Sequence, residues 1–133
     1  MPTDAERAAA LLSIPLFAGL SEESRIRIAE MSGELEAHAG HVLIEAGAEG
    51  SGMYVVEEGT VVVEREGRTI ELGPGQFFGE LALLTDTQRT ARVRAKTGAR
   101  LLAIGRTQFR QLLESEPKMA LSMLEVLARR LAG

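Results

Sequence analysis

Apolar positions change their spacing twice along this chain. From Asp4 to Leu12 an alanine-rich run predicts a helix, stopped near Pro15, whose ring removes an amide donor and restricts the residue before it. The stretch "LSEESRIRIAEMSG" predicts a second helix. Ser21 can cap it, Glu22 and Glu23 fall where the helix dipole favours acids, Ile26 and Ala29 share one face, and Gly33 ends it. From Glu34 the pattern becomes short runs of Val, Ile and Thr punctuated by glycine: "HVLIEAG", "GMYVVEEGTVVVEREGRTIELGPG" and "ARLLAIG". Within them "EEGT" and "EREGRT" read as hairpin turns. Helical spacing then returns in "QFRQLLESE", which Thr107 can cap, and in "MALSMLEVLARRLAG", with Pro117 in the first turn of that last helix.

That order predicts an α+β fold that is mainly β. We expect an antiparallel jelly-roll-like β-barrel of about eight strands, interrupted once by a short helix and flanked by N- and C-terminal helices; closure disposes of exposed sheet edges. At 133 residues the chain is long enough for one core. A single domain is expected over residues 1–133, with N-terminal helices in 1–33, the barrel in 34–105 and C-terminal helices in 106–133.

The interruption is "GQFFGELALLTDTQRTARV", Gly75 to Val93. Leu81, Ala82, Leu83 and Leu84 make a poor strand beside neighbours built from Val and Ile, but a good single helical turn that opens at Gly79. Free amides at such a turn, together with the helix dipole, attract an anion, and Arg89 adds a permanently charged, bidentate partner for a phosphate. Glu80 would repel that phosphate, yet a carboxylate beside it can accept hydrogen bonds from a sugar hydroxyl. A sugar phosphate uses both groups.

The segment "FGELALLTDTQRTARV" resembles the phosphate-binding cassette of the cyclic nucleotide-binding domain family, the sensor module of catabolite activator proteins, of cyclic-nucleotide-dependent kinase regulatory subunits and of cyclic-nucleotide-gated channels. The resemblance extends upstream through "EAGAEGSGMYVVEEGTVVV" and covers nearly the whole chain. It implies that Glu80 accepts the ribose 2′-hydroxyl and that Arg89 holds the cyclic phosphate. It also implies that Gly79, Leu81 and Ala82 offer backbone or close-approach contacts and that Thr90 places its hydroxyl beside the phosphate or the base. The implied ligand is cAMP or cGMP, with no other cofactor, and Thr90 leaves the base open because hydroxyl residues occur there with either. Two departures stand out: Gln88 where many members carry proline, and Ser51 where an aspartate usually follows the glycine.

Composition narrows the alternatives. A net charge of −4 gives no global attraction to nucleic acid or anionic membranes, so an anion site must be local. Four Phe, one Tyr and no Trp leave little surface for stacking on bases, and the absence of cysteine removes disulfides, thiolate catalysis and Cys-ligated zinc. The N-terminal stretch is neither a signal peptide nor a membrane span, which leads us to expect a cytoplasmic protein without membrane insertion. No nucleophile has a plausible base beside it, so an enzyme is not expected. "GPGQFFG" has the wrong spacing for a dinucleotide fingerprint, His38 and His41 read as turn residues rather than metal ligands, and Glu57 with Glu58 reads as a solvated hairpin end.

On the last helix Ala120, Leu124, Leu127 and Leu131 follow a heptad-like spacing that Met119, Met123 and Val126 widen. That stripe suits packing on the barrel, a lid over the purine, or a contact with a homodimer partner or an effector protein. The family resemblance implies that ligand binding repositions these helices. No recognition helix follows, so direct DNA binding by this chain is not expected. Two other readings stay open at this point: a ligand-free scaffold or dimerisation module, and the excised sensor half of a channel, kinase or transcription regulator.

Overall fold

The computed structural model describes residues 3–45, 52–79 and 91–132. They fall into two compact units, one joining the residues up to Met31 with those from Thr107 onward, the other running from Ser32 to Arg106.

In the helical unit, α1 (Asp4–Ala10) starts at Thr3, whose hydroxyl oxygen accepts a bond from the Glu6 amide at 3.1 Å. The helix does not run to Leu12: it tightens into a 3-10 turn over Leu11–Ser13. The helical run stops near Pro15 as expected, with Ile14 before it extended, and Pro15 also opens α2 (Pro15–Ala18), because a missing N–H costs nothing at a first helical position. Ser21 caps α3 (Glu22–Met31) as expected, with the Ser24 amide donating to its Oγ at 3.1 Å. The buried face of α3 is Ser24, Arg25, Ile28 and Ala29, while Ile26 is only half-buried. An arginine can sit on that face because it donates to the carbonyl oxygens of Leu20 and Ala8, both at 3.4 Å. After the strands come α4 (Arg106–Ser115) and α5 (Pro117–Ala132). Thr107 lies inside the first turn of α4 rather than ahead of it, so it is not the cap. Phe109 and Leu112 are the buried residues of α4, Met119 and Met123 those of α5. Among the described residues no helix is long and apolar enough to cross a membrane.

The strand unit carries β1 (Gly33–Ala37), β2 (Val42–Ile44), β3 (Gly52–Glu58), β4 (Val61–Arg65), β5 (Arg68–Leu72), β6 (Phe77–Phe78), β7 (Arg92–Ala95) and β8 (Ala99–Gly105). They form two antiparallel four-stranded sheets with orders β1-β8-β3-β6 and β2-β7-β4-β5. Both sheets contribute to one core: Val56, Phe78, Ala99 and Leu101 from the first, Ile44, Val61, Leu72 and Val93 from the second. The period of two explains the membership. Val61 lies opposite Leu72 and Ala95, while the intervening Val62 lies opposite Glu71 and Arg94, on the other face. The β3–β4 and β4–β5 hairpins turn at "EEGT" and "EREGRT", as the glycine punctuation predicts. The fold is therefore α+β, mixing helices with antiparallel sheets, with eight strands among the described residues. The short internal helix expected after Gly79 lies outside the described residues.

Candidate ligand site

The approach to the cassette is held from several sides. The Gly75 amide donates to Val56 O and the Val56 amide to Gln76 O, both at 2.8 Å, while the Gln76 side chain accepts from the Gly73 amide at 2.8 Å. β6 then pairs with β3, placing Tyr54 opposite Phe78, and their rings stack with centroids 5.2 Å apart at 22°. Directly after Phe78 the chain turns at Gly79, whose φ of 93° lies in a region that side-chain-bearing residues avoid. That is the physical reason for a glycine here. Of the expected ligand residues, Gly79 is described and half-buried; Glu80, Leu81, Ala82, Arg89 and Thr90 lie outside the described residues, as do Ser51 and Gln88.

On the far side the chain rejoins the second sheet as β7, with Val93 in the core. The cations that follow Arg89 are already committed to carboxylates. Arg94 lies 2.9 Å from Glu64, Arg92 lies 3.7 Å from Glu45 and 4.0 Å from Glu64, and Lys96 lies 2.9 Å from Glu71. Arg92 and Arg94 on β7 thus face Glu64 on β4 and Glu45 just after β2, while Lys96 just after β7 faces Glu71 on β5, and the pairs neutralise the basic run.

One row of the core leads outward. Ile44 pairs with Val93, Val93 with Val63, and Val63 with Ile70 on the edge strand β5. Ile44 and Val93 are buried, Val63 is half-buried and Ile70 is 60% exposed. Leu35, Leu43 and Tyr54 are likewise half-buried against the same core. Val63 and Ile70 thus carry the apolar row from the core to the exposed edge of the second sheet.

Two sequence expectations change here. Glu57 is not a solvated hairpin end: its side chain is only 10% exposed and lies 3.6 Å from Arg100, which also bonds Glu58 at 2.9 Å. The cause is a register shift between Val56 and Glu58 against β8, which brings both acids to one arginine; nothing in the sequence marks such a bulge. The apolar stripe on α5 is also divided, since Met119 and Met123 are buried whereas Leu124 and Leu131 are 62% and 90% exposed, and outside the stripe Leu121 is 60% exposed. His38 and His41 are exposed turn residues, with the His41 amide donating to His38 O at 3.0 Å. Among the described residues no three His, Asp or Glu side chains gather as a metal site.

Two antiparallel four-stranded sheets thus share one core, and the chain leaves the first sheet at Gly79 and re-enters the second at β7. This chain belongs to the cyclic nucleotide-binding domain family, whose sequence pattern matches residues 34–116, well over half of its length. It is 38% identical over 106 residues to a cAMP-dependent protein kinase regulatory subunit of Aspergillus fumigatus, covering 77% of this chain and 26% of that protein. It is 33% identical over 121 residues to a cyclic nucleotide-gated potassium channel of Rhizobium etli, covering 91% of this chain and 34% of the channel. The crystal structure of the Thermus thermophilus catabolite activator protein superposes with a TM-score of 0.78 at 31% identity, over 89% of this chain and 58% of that one. The chain thus spans between a quarter and about a third of the length of the kinase subunit and the channel.

Proposed function

We propose that residues 1–133 form one non-catalytic sensor domain that binds a cyclic mononucleotide, with cAMP the first choice and cGMP the second. The carrying observation is the family match over residues 34–116, which contains the whole segment from Gly75 to Val93. In this reading Arg89 takes the cyclic phosphate and Glu80 the ribose 2′-hydroxyl. The turn at Gly79 lets Leu81 and Ala82 present backbone amides, and Thr90 sits beside the phosphate or base. The wall from Val93 to Ile70 supports the base. Binding repositions α4 and α5, a two-state element whose shift is limited by the ligand's differential affinity for the two states. The output belongs to a partner protein or a further domain, in the cytoplasm.

Calorimetric titration of nucleotide-stripped protein with cAMP and then cGMP tests this. Micromolar or tighter binding is expected. Arg89→Ala should weaken it about a hundredfold, roughly 3 kcal/mol, because a charge-assisted pair is lost. Unchanged affinity in that variant would refute the phosphate assignment. The exposed leucines on α5 favour a second reading, in which the domain serves as a scaffold or dimerisation module; a folded, demonstrably empty protein that binds neither nucleotide would establish it.

A further inference from the structure

Within the helical unit one side chain ties the N-terminal helices to the C-terminal ones. The Arg27 guanidinium on α3 is shared among three acceptors: Glu23 Oε1 at 3.3 Å, Ser24 Oγ at 3.1 Å and Glu116 Oε1 at 3.4 Å. The first two are neighbours on the same helix. The third is the single residue between α4 and α5.

The backbone of Glu116 serves both helices. Its amide donates to Leu112 O at 2.8 Å, closing α4, and its carbonyl accepts from the amides of Met119 at 3.0 Å and Ala120 at 3.2 Å, opening α5. Its side chain is only 13% exposed, and among the described residues its carboxylate bonds Arg27 alone. The Arg27–Glu23 pair, at 52% and 85% exposure, is an ordinary surface contact of little worth. The Glu116 end differs, because a carboxylate mostly withdrawn from water depends on the cation that faces it.

We infer that the Arg27–Glu116 contact is a clip that fixes how α5 leaves α4 and couples that joint to α3. With the clip closed, the Glu116 carbonyl stays aimed at the first amides of α5, and a displacement of α5 must pull on α3. By reciprocity, a partner that grips α3 shifts the freedom of α5. The inference rests on contacts inside the helical unit and not on the ligand assignment, so the two fail separately.

Amide hydrogen exchange of the full chain without nucleotide tests the clip. In Arg27→Met and Glu116→Gln the Met119 and Ala120 amides should exchange about fivefold faster, with α1 amides unchanged. The double variant should be no faster than the quicker single one, since both changes break the same contact. Glu23→Gln should match the wild type. Wild-type protein in about 1 M salt, where charges are screened beyond ~3 Å, should show the same acceleration at the same amides. Unchanged rates in the single variants or in high salt, single effects that multiply in the double variant, or a Glu23→Gln effect equal to that of Arg27→Met would each overturn the proposal.

Discussion

Gly40 and Gly59 share a backbone conformation and differ in surroundings, which makes a paired substitution informative. Their φ angles are 88° and 87°. A Cβ built at Gly40 meets nothing within 4 Å, whereas at Gly59 it falls 2.3 Å from Gly98 O and 2.8 Å from Ala99 Cα. Alanine at Gly40 should cost only the conformational penalty, about 1 kcal/mol. Alanine at Gly59 carries that same penalty and also an overlap with backbone, which cannot swing aside as a long side chain would. A forced shift of that kind adds about 2 kcal/mol, for a total near 3 kcal/mol. For a chain of this size the second variant should melt about 10 °C lower than the wild type and the first about 3 °C lower. Urea denaturation monitored by circular dichroism measures both, and equal losses in the two variants would refute the reasoning. Gly59 has a bearing on the site because the hairpin it turns ends β3, the strand on which β6 and the approach to Gly79 are built.

Glu80→Gln should weaken nucleotide binding less than Arg89→Ala does, and its effect should vanish with a 2′-deoxy nucleotide, because both changes delete one contact; calorimetry on the four combinations decides it. Phe78→Ala empties a core position that is 3% exposed and breaks the stack on Tyr54, so a loss of about 3–5 kcal/mol in chemical denaturation is expected. Ile70→Ser should leave stability within about 0.5 kcal/mol, given 60% exposure, while reducing nucleotide affinity about fivefold; unaltered affinity would remove Ile70 from the base wall.

Much of the architecture was legible in the chain, and the failures have physical causes. "ARLLAIG" is β8 in full, and both glycine-centred hairpins fall where the pattern puts them, since alternation and turn chemistry are local signals. The Ser21 cap was readable for the same reason. The stop near Pro15 was readable, with Ile14 extended before the ring, but the short helix that Pro15 also opens was not, because the same ring that stops one helix suits the start of another. Burial of Arg25 depends on carbonyls at Leu20 and at Ala8, the latter 17 positions away. Pairing of Glu57 with Arg100 needs a bulge that no residue type announces. On α5, heptad spacing located an apolar helix but could not say which apolar residues are buried, because Met119 and Leu121 are alike to any hydropathy scale. The cassette itself was legible through its resemblance to a family, and of its expected contacts Gly79 is the one that the described residues reach.

The strand leading into the cassette and the strand leading out of it belong to different sheets: β6 closes the edge of one, β7 lies inside the other. Glu80 follows the first within two residues, and Arg89 precedes the second by three. A nucleotide gripped by both would act as a rivet through the sandwich, its ribose fastened to one plate and its phosphate to the other. Occupancy would then register as mechanical stiffness between the sheets as well as a raised melting temperature, and a ligand lacking either fastening would fill the pocket without locking the plates together.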